Sequence, residues 1–366
     1  MARKIFIAAT GQHCGKTTTS LALLMLARAQ GLRVGFLKPL GPKPIHYAGH
    51  DGDRDAALIA ELFGQAHEFP LMSPVVLQSD TTRRIIDGEM SAATFVPRII
   101  EACAALEDRC ELLIIEGAGH AGVGSVAGLS NADMARLLDA SVMMVTEGGI
   151  GRVVDSVCLN LCMFREQGVR VRCVVANKLN PAKRDQSIGY LQRALLPYDL
   201  KVLGGFNYQP VLANPTLRRI SRLLGRPLLG GVDSQAGRII HHVQIGAAST
   251  WRVAELLQES TLLIVTSSRD ELLVTLANLY QMPEYREKIV GLVVPGIIPV
   301  SRITQKILDH SGIPYLRTTE HTTAELHNLI TEDVSKITSE DQEKIDLLRK
   351  LAPERFDLKV LLDLFP

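Results

Sequence analysis

One stretch near the start limits the folds open to this chain more than any other: KIFIAAT followed by GQHCGKTTTSLALLMLARAQ. An apolar run of strand length leads into a short polar loop. The loop ends in Gly15-Lys16-Thr17 at the head of a long apolar helix. A strand, such a loop and a helix in this order make a phosphate-binding loop, whose backbone N–H groups turn inward round an anion at the positive end of the helix. The pattern predicts that Gly11, Gln12, His13, Cys14, Gly15, Lys16, Thr17 and Thr18 surround the phosphates of a nucleotide. Lys16 reaches the terminal phosphates and the Thr17 hydroxyl holds Mg²⁺. Gly15 stands where the backbone must come close to phosphate. The first glycine of the G-x-x-x-x-G-K-[ST] pattern is replaced by Thr10. Cys14 lies inside the loop, where Lys16 and the loop N–H groups favour a thiolate, so alkylation in the free protein is expected, with ATP protecting it.

The rest of the first half repeats the alternation. RVGFLKP, ELLIIEGAG, ASVMMVTEG and RVRCVVANK are short apolar runs separated by helical stretches such as DRDAALIAELF, which Gly64 stops. Such runs predict a parallel sheet covered on both faces. Around residues 222–230 the chain turns rich in Gly and Pro and loses its period, which marks a domain boundary. The alternation then restarts with IIHHVQIGA, TLLIVTS, KIVGLVVPG and PYLRT. The expected fold is therefore α/β: a P-loop NTPase-type parallel sheet over 1–224, a smaller α/β domain over 231–350 and a C-terminal tail over 351–366, with SEDQEKIDLLRKLAPERF as a surface helix.

Composition narrows the function classes. The 366 residues are 46% hydrophobic and 22% charged with a net charge of +1. That balance suits a soluble globular protein and gives no global pull towards nucleic acid or anionic membrane. No apolar run approaches the ~20 residues of a membrane span. The start carries no secretory pattern. The cysteines, at 14, 103, 110, 158, 162 and 173, form no C-x-x-C pair, which points to a reduced, cytoplasmic protein. Cys158 and Cys162, four apart on a helix, read as small core residues.

Beyond the loop, a family resemblance accumulates. The form T-x-x-x-x-G-K-T, here TGQHCGKT, is similar to that of dethiobiotin synthetases. FLKPLG (36–41) resembles their strand ending in Lys-Pro, and DRDAAL (53–58) their metal-binding acidic stretch. LLIIEGAGH (112–120) resembles their strand ending in Glu-Gly-Ala-Gly, and VVANKLNP (174–181) their strand ending in an asparagine. The resemblance covers residues 1 to about 220. It implies Mg-ATP binding, Lys38 beside substrate and phosphate, Asp55 and Glu116 as metal ligands, and Asn177 facing the nucleotide base.

The residues support part of this on their own. Mg²⁺ takes oxygen ligands, commonly one or two carboxylates besides phosphate. Thr17, Asp55 and Glu116 make such a set. Glu116 ends an apolar strand, at the carboxyl edge where open α/β sheets bind ligands. Asp51, Asp53 and Asp55 alternate, and Asp53 or Asp55 could equally open a helix. His120 reads as a solvated loop histidine. His241 and His242 point to opposite faces of a strand, so they do not share a metal.

The second half resembles a DRTGG domain, and the order of the two resembles the amino-terminal portion of long bacterial phosphotransacetylases. Ser268 stands where that domain commonly has an acidic residue before its arginine, and Pro295-Gly296-Ile297 replaces its Thr-Gly-Gly turn. No acetyl-transfer domain follows residue 366, so the chain is not expected to act as a phosphotransacetylase by itself. Three classes remain. The first in order is a nucleotide-responsive regulatory protein and homo-oligomer. The second is an ATP-dependent ligase that activates a small carboxylate or carbamate, with Lys16 and Lys38 as the catalytic cations. The third, resembling cobyrinic acid a,c-diamide synthases, lacks its glutaminase signature in residues 230–366.

Overall fold

β1 (Arg3–Ala9) is wholly apolar after its first two residues because both of its faces are covered. It runs in the middle of a six-stranded sheet in the computed structural model, which describes residues 2–333 and 336–366. The other strands are β2 (Val34–Leu37), β5 (Leu112–Glu116), β6 (Ser141–Thr146), β7 (Val171–Ala176) and β8 (Lys201–Gly204). Their order is β2-β5-β1-β6-β7-β8 and every neighbouring pair is parallel. The chain thus winds to one side of β1 and then to the other. That reversal opens a crevice at the carboxyl end of β1, between β5 and β6, where ligands of such sheets bind. Helix α1 (Lys16–Ala29) leaves β1 through the phosphate loop directly into it.

A hairpin the sequence reading did not anticipate interrupts the pattern. β3 (Pro44–Tyr47) and β4 (His50–Asp53) pair antiparallel round Ala48-Gly49, both with positive φ (50° and 79°). Two left-handed residues are the turn a tight hairpin needs. Gly52 lets the Phe69 ring lie against the strand, since a Cβ there would sit 2.2 Å from Phe69 Cζ. The hairpin hands the chain to helix α2 (Arg54–Phe63), which ends, as expected, at Gly64 with φ 68°.

The chain divides into two compact units, Met1–Gln209 with Ile345–Pro366, and Pro210–Lys344. The second holds a four-stranded parallel sheet ordered β12-β11-β10-β9, from β9 (His242–Ile245), β10 (Thr261–Ile264), β11 (Ile289–Pro295) and β12 (Tyr315–Thr318). The α/β class is as expected, but the extents differ from 1–224 and 231–350. The helix Leu217–Leu224 buries Leu217 and Ile220 with Leu262, Ile264, Val290 and Leu316 of the second unit. On its polar side Arg219 grips Asp333 with two bonds, at 3.1 and 2.8 Å. The Gly/Pro-rich stretch that looked like a linker covers a sheet edge instead: Leu229 and Tyr315 exchange both backbone hydrogen bonds at 2.9 Å, which removes an unpaired edge.

The expected tail and surface helix are also structural. Gln342–Arg355 buries Ile345, Leu348 and Ala352, and Leu358–Leu364 buries Leu358 and Leu361. Within the first unit, the Phe356 ring meets Phe206 edge-on, with centroids 5.5 Å apart. Among the described residues no helix is long and apolar enough to cross a membrane. Phe356→Ala should therefore lower the unfolding free energy of the first unit by about 3 kcal/mol. Denaturant titration of the variant checks this, and an unchanged midpoint would mean the returning segment only rests on the surface.

Candidate functional site

The loop after β1 is held from beneath. Thr10 N–H donates to Val145 O at 3.0 Å and Thr10 Oγ1 to Thr146 Oγ1 at 3.1 Å, so the threonine that replaces glycine ties the loop to β6. His13 and Gly15 take left-handed backbones (φ 58° and 95°). Gly15 admits no side chain: its Cβ would lie 2.2 Å from Asn177 Nδ2. Asn177 donates from Nδ2 to Cys14 O at 2.9 Å and accepts the Phe206 N–H on Oδ1 at 2.9 Å. It is buried, with both ends of its amide engaged by the backbone. Asn177, expected to face the nucleotide base, braces the phosphate loop from behind through these bonds.

Gly11, Gln12, His13 and Gly15 line the turn, partly or fully exposed, and Thr17 and Thr18 open α1 half-buried. Lys16 Nζ crosses the crevice to donate to Gly119 O at 3.0 Å. Cys14 is different. It is 3% exposed, and its thiol faces Gln12 O at 3.6 Å and Thr10 Oγ1 at 3.7 Å. The expected alkylation is corrected by this burial, because a thiol inside the turn is out of reach of a reagent. Cys158 and Cys162, expected in the core, are half-buried and exposed respectively, because the outer face of the helix Gly151–Glu166 carries them.

Three elements converge on one buried ammonium. Lys38, just past β2, donates from Nζ to Glu116 Oε1 at 2.9 Å, to Asp55 Oδ2 at 3.3 Å and to Gly117 O at 3.3 Å. Glu116 ends β5 and Asp55 lies in the first turn of α2; both are buried, as is Lys38. Burial alone would lower the Lys38 pKa. The carboxylates of Glu116, Asp55 and Asp53 outweigh it and hold the pKa above the ordinary lysine value, so the group stays charged. Thr17 Oγ1 donates to Glu116 Oε1 at 3.0 Å. Thr17, Asp55, Glu116 and Lys38, far apart in sequence, thus meet as expected at the carboxyl edge of the sheet.

These residues fit a magnesium ion. Their donors are hard oxygens, two carboxylates and a hydroxyl, which is the set Mg²⁺ takes when phosphate supplies the rest. Among the described residues no three His, Cys, Asp or Glu side chains gather as a metal site. In the structure the Lys38 ammonium holds the two carboxylates together.

Two further buried partners complete the cluster: Asp53, one of the two aspartates expected to open a helix, and Ser20, which the sequence reading missed. Asp53 caps α2, accepting the Asp55 N–H at 2.8 Å and the Lys43 N–H at 3.0 Å, while its own N–H reaches Ser73 Oγ at 2.8 Å. Burial pushes its carboxyl pKa up, and the Lys38 charge opposes this. Ser20 Oγ donates to Glu116 Oε2 at 2.7 Å. Its signal was the three-residue spacing from Thr17, which puts both hydroxyls on one face of α1. His120 is exposed; its Nδ1 accepts the Gly122 N–H at 3.2 Å, so it serves its own turn.

A cavity of about 40 Å³ opens beside Gly117, lined by Pro39, Leu40, Pro42, Leu77, Val123, Leu129 and Met134 among others. Its one side-chain amide, Asn131, donates to Ala118 O and His120 O at 2.6 Å and accepts the Ala118 N–H at 3.0 Å. The wall is otherwise apolar.

Thiol labelling separates the two environments. Maleimide added to the native protein should modify Cys162 and leave Cys14 untouched, whereas urea should expose both. Peptide mapping reads this out, and prompt native labelling of Cys14 would contradict the loop geometry.

Comparison with known proteins finds relatives of two kinds. The phosphate acetyltransferase of Pseudomonas putida is 26% identical over 285 residues, which is 74% of this chain and 39% of the relative. That of Nitratidesulfovibrio vulgaris is 23% identical over 98% of this chain and 51% of its own length. The chain thus spans about half or less of the length of these acetyltransferases. The ATP-dependent dethiobiotin synthetase of Anaeromyxobacter dehalogenans is 26% identical over 63% of this chain and 99% of the relative. Among solved structures, the septum site-determining protein MinD of Pyrococcus horikoshii with Mg-ADP aligns at 15% identity and a TM-score of 0.36, over 58% of this chain and 84% of that one. The regulatory CBS and DRTGG region of a Clostridium perfringens pyrophosphatase aligns at 17% identity and a TM-score of 0.27, over 34% of this chain and 48% of that one. The family model described as AAA domain (AAA_26) matches residues 3–234, from the first strand through the phosphate loop and on past β8. That span exceeds half of the 366 residues, and the chain belongs to this family of P-loop proteins.

Proposed function

We propose that the first unit binds Mg-ATP and that the protein is a nucleotide-responsive regulator. The observation that carries the ATP site is the convergence of Lys16, Thr17, Lys38, Asp55 and Glu116 on the crevice at the end of β1. Backbone N–H groups of residues 11–17 would take the phosphates, with Lys16 exchanging Gly119 O for a phosphate oxygen. Thr17, Asp55 and Glu116 would hold the magnesium ion, which supplies charge neutralisation on the phosphates when bound. The order of the two domain types supports a regulatory role, as does the cavity beside Gly117. Its only amide side chain is fully occupied by backbone groups, which leaves little to anchor a polar diamino substrate.

A second reading is favoured by Lys38. A buried ammonium kept charged beside the metal-binding carboxylates could steady a phosphoryl group in flight to a small carboxylate or carbamate. This is the ligase alternative. It requires Lys38 to leave Glu116 for the substrate.

Lys16→Ala should abolish Mg-ATP binding with the fold intact, since it removes the point charge on a backbone-built loop. Calorimetry on the folded variant decides, and parental affinity would remove the phosphate-loop assignment. Asp55→Asn and Glu116→Gln should each weaken the magnesium dependence while leaving metal-free ATP binding in place. Phosphate release assays with small carboxylates separate the two readings. Turnover that depends on such a substrate and is lost in Lys38→Met would favour the ligase over the regulator.

A further inference from the structure

Glu116 is held by both of its oxygens. Oε1 accepts from Thr17 Oγ1 at 3.0 Å and from Lys38 Nζ at 2.9 Å, and Oε2 accepts from Ser20 Oγ at 2.7 Å. Ser20 and Glu116 are 0% and 1% exposed. Thr17 and Ser20 stand one turn apart on α1, so one helix face grips the two oxygens of one carboxylate. The division is unequal. Oε1 faces the ammonium and the Thr17 hydroxyl, in the direction of the crevice. Oε2 is turned away into the protein, where the Ser20 hydroxyl donates to it.

We infer that Ser20 is a positioning residue for the metal centre, fixing the Glu116 carboxylate so that Oε1 alone is presented to Mg²⁺. The inference rests on the metal role proposed above for Glu116. The physical reason is the behaviour of the other partners. Asp55 and Glu116 would hold the ion beside the Lys38 ammonium, and like charges this close repel strongly, so Lys38 would withdraw from Oε1. Thr17 must offer a lone pair to the ion at the same time as it touches Glu116. Ser20 has one hydroxyl proton, with Glu116 Oε2 at 2.7 Å and Lys16 O at 3.1 Å as acceptors; the carboxylate is the nearer and the charged one, and neither the ion nor Lys38 need displace this bond. Without it the carboxylate can rotate about its last torsion, which is broad for glutamate, and its second oxygen is left buried without a donor. Groups that orient metal ligands from behind typically change metal affinity by about 10- to 100-fold when removed.

The test is a magnesium titration at fixed concentration of a non-hydrolysable ATP analogue, followed by calorimetry, on the full chain. Ser20→Ala should raise the magnesium concentration for half-effect by about tenfold or more, with metal-free nucleotide affinity within twofold of the parent. Ser20→Thr, which keeps the hydroxyl, should restore the parental titration. Ser20→Cys keeps the size with a weak donor and should fall between; it replaces Ser20→Ala if that variant does not fold. Glu116→Gln is run alongside. A parental titration for Ser20→Ala or Ser20→Cys, beside a shifted one for Glu116→Gln, overturns the role of Ser20 alone. Parental titrations for all of them overturn the metal role of Glu116 and this inference with it. An equal loss of affinity with and without magnesium would also overturn it, since it would show that Ser20 shapes the loop and not the metal centre.

Discussion

The buried ammonium of Lys38 must be neutralised inside the first unit, and this requirement shapes it. A charge so far from water is tolerated only when paired and hydrogen-bonded. Glu116 from β5, Asp55 from α2 and the Gly117 carbonyl supply the partners. Glu116 and Gly117 lie at the end of β5 and Asp55 in α2, so the ends of β2 and β5 and the start of α2 are pinned to one point. Asp53 adds a further carboxylate nearby and stitches α2 to the hairpin that precedes it. The same point lies beside the head of α1, through Thr17 and Ser20 on Glu116. The charge that holds the site together is also the one a metal ion would displace, which links occupancy of the site to the arrangement of its own side chains.

The phosphate loop is prepared by different means. Its shape is fixed by the backbone and by neutral hydrogen bonds, through Thr10 to β6 and through Asn177 to the Cys14 carbonyl. Gly15 is required twice over, for its left-handed φ and because Asn177 packs where a Cβ would go. A loop preformed in this way spends little of its binding energy on ordering. Cys14, whose position suggested a reactive thiol, is part of this internal lining and is shielded by the turn it helps to close.

The second unit shows how side-chain chemistry defeats a reading by composition. The run 222–230 has the glycines and prolines of a domain boundary, yet Leu224 is a core residue and Leu229 pairs with β12. Nothing local marks them, because their apolar partners lie on β10, β11 and β12, tens of residues away. The helix Gln342–Arg355 misled for the same reason. Its charged outer face is plain in the sequence, while the burial of Ile345, Leu348 and Ala352 depends on what packs against the inner one.

By itself the sequence determined the parallel α/β class and the strand–loop–helix at residues 3–29, and it singled out Lys16, Thr17 and Glu116, with Lys38 and Asp55 added by the family resemblance. These features are local: unbroken apolar strands, a glycine where the backbone turns left-handed, a polar residue at the end of a buried run. Only the tertiary structure decided how the side chains divide their bonds. It turned Asn177 to the back of the loop, put Cys14 out of reach, and set Ser20 against the far oxygen of Glu116. It also returned residues 345–366 to the first unit. Such choices depend on distances between groups separated by up to 163 positions along the chain, as Asn177 and Cys14 are. A linear pattern carries no measure of those distances, and only close packing in three dimensions selects among the partners they allow.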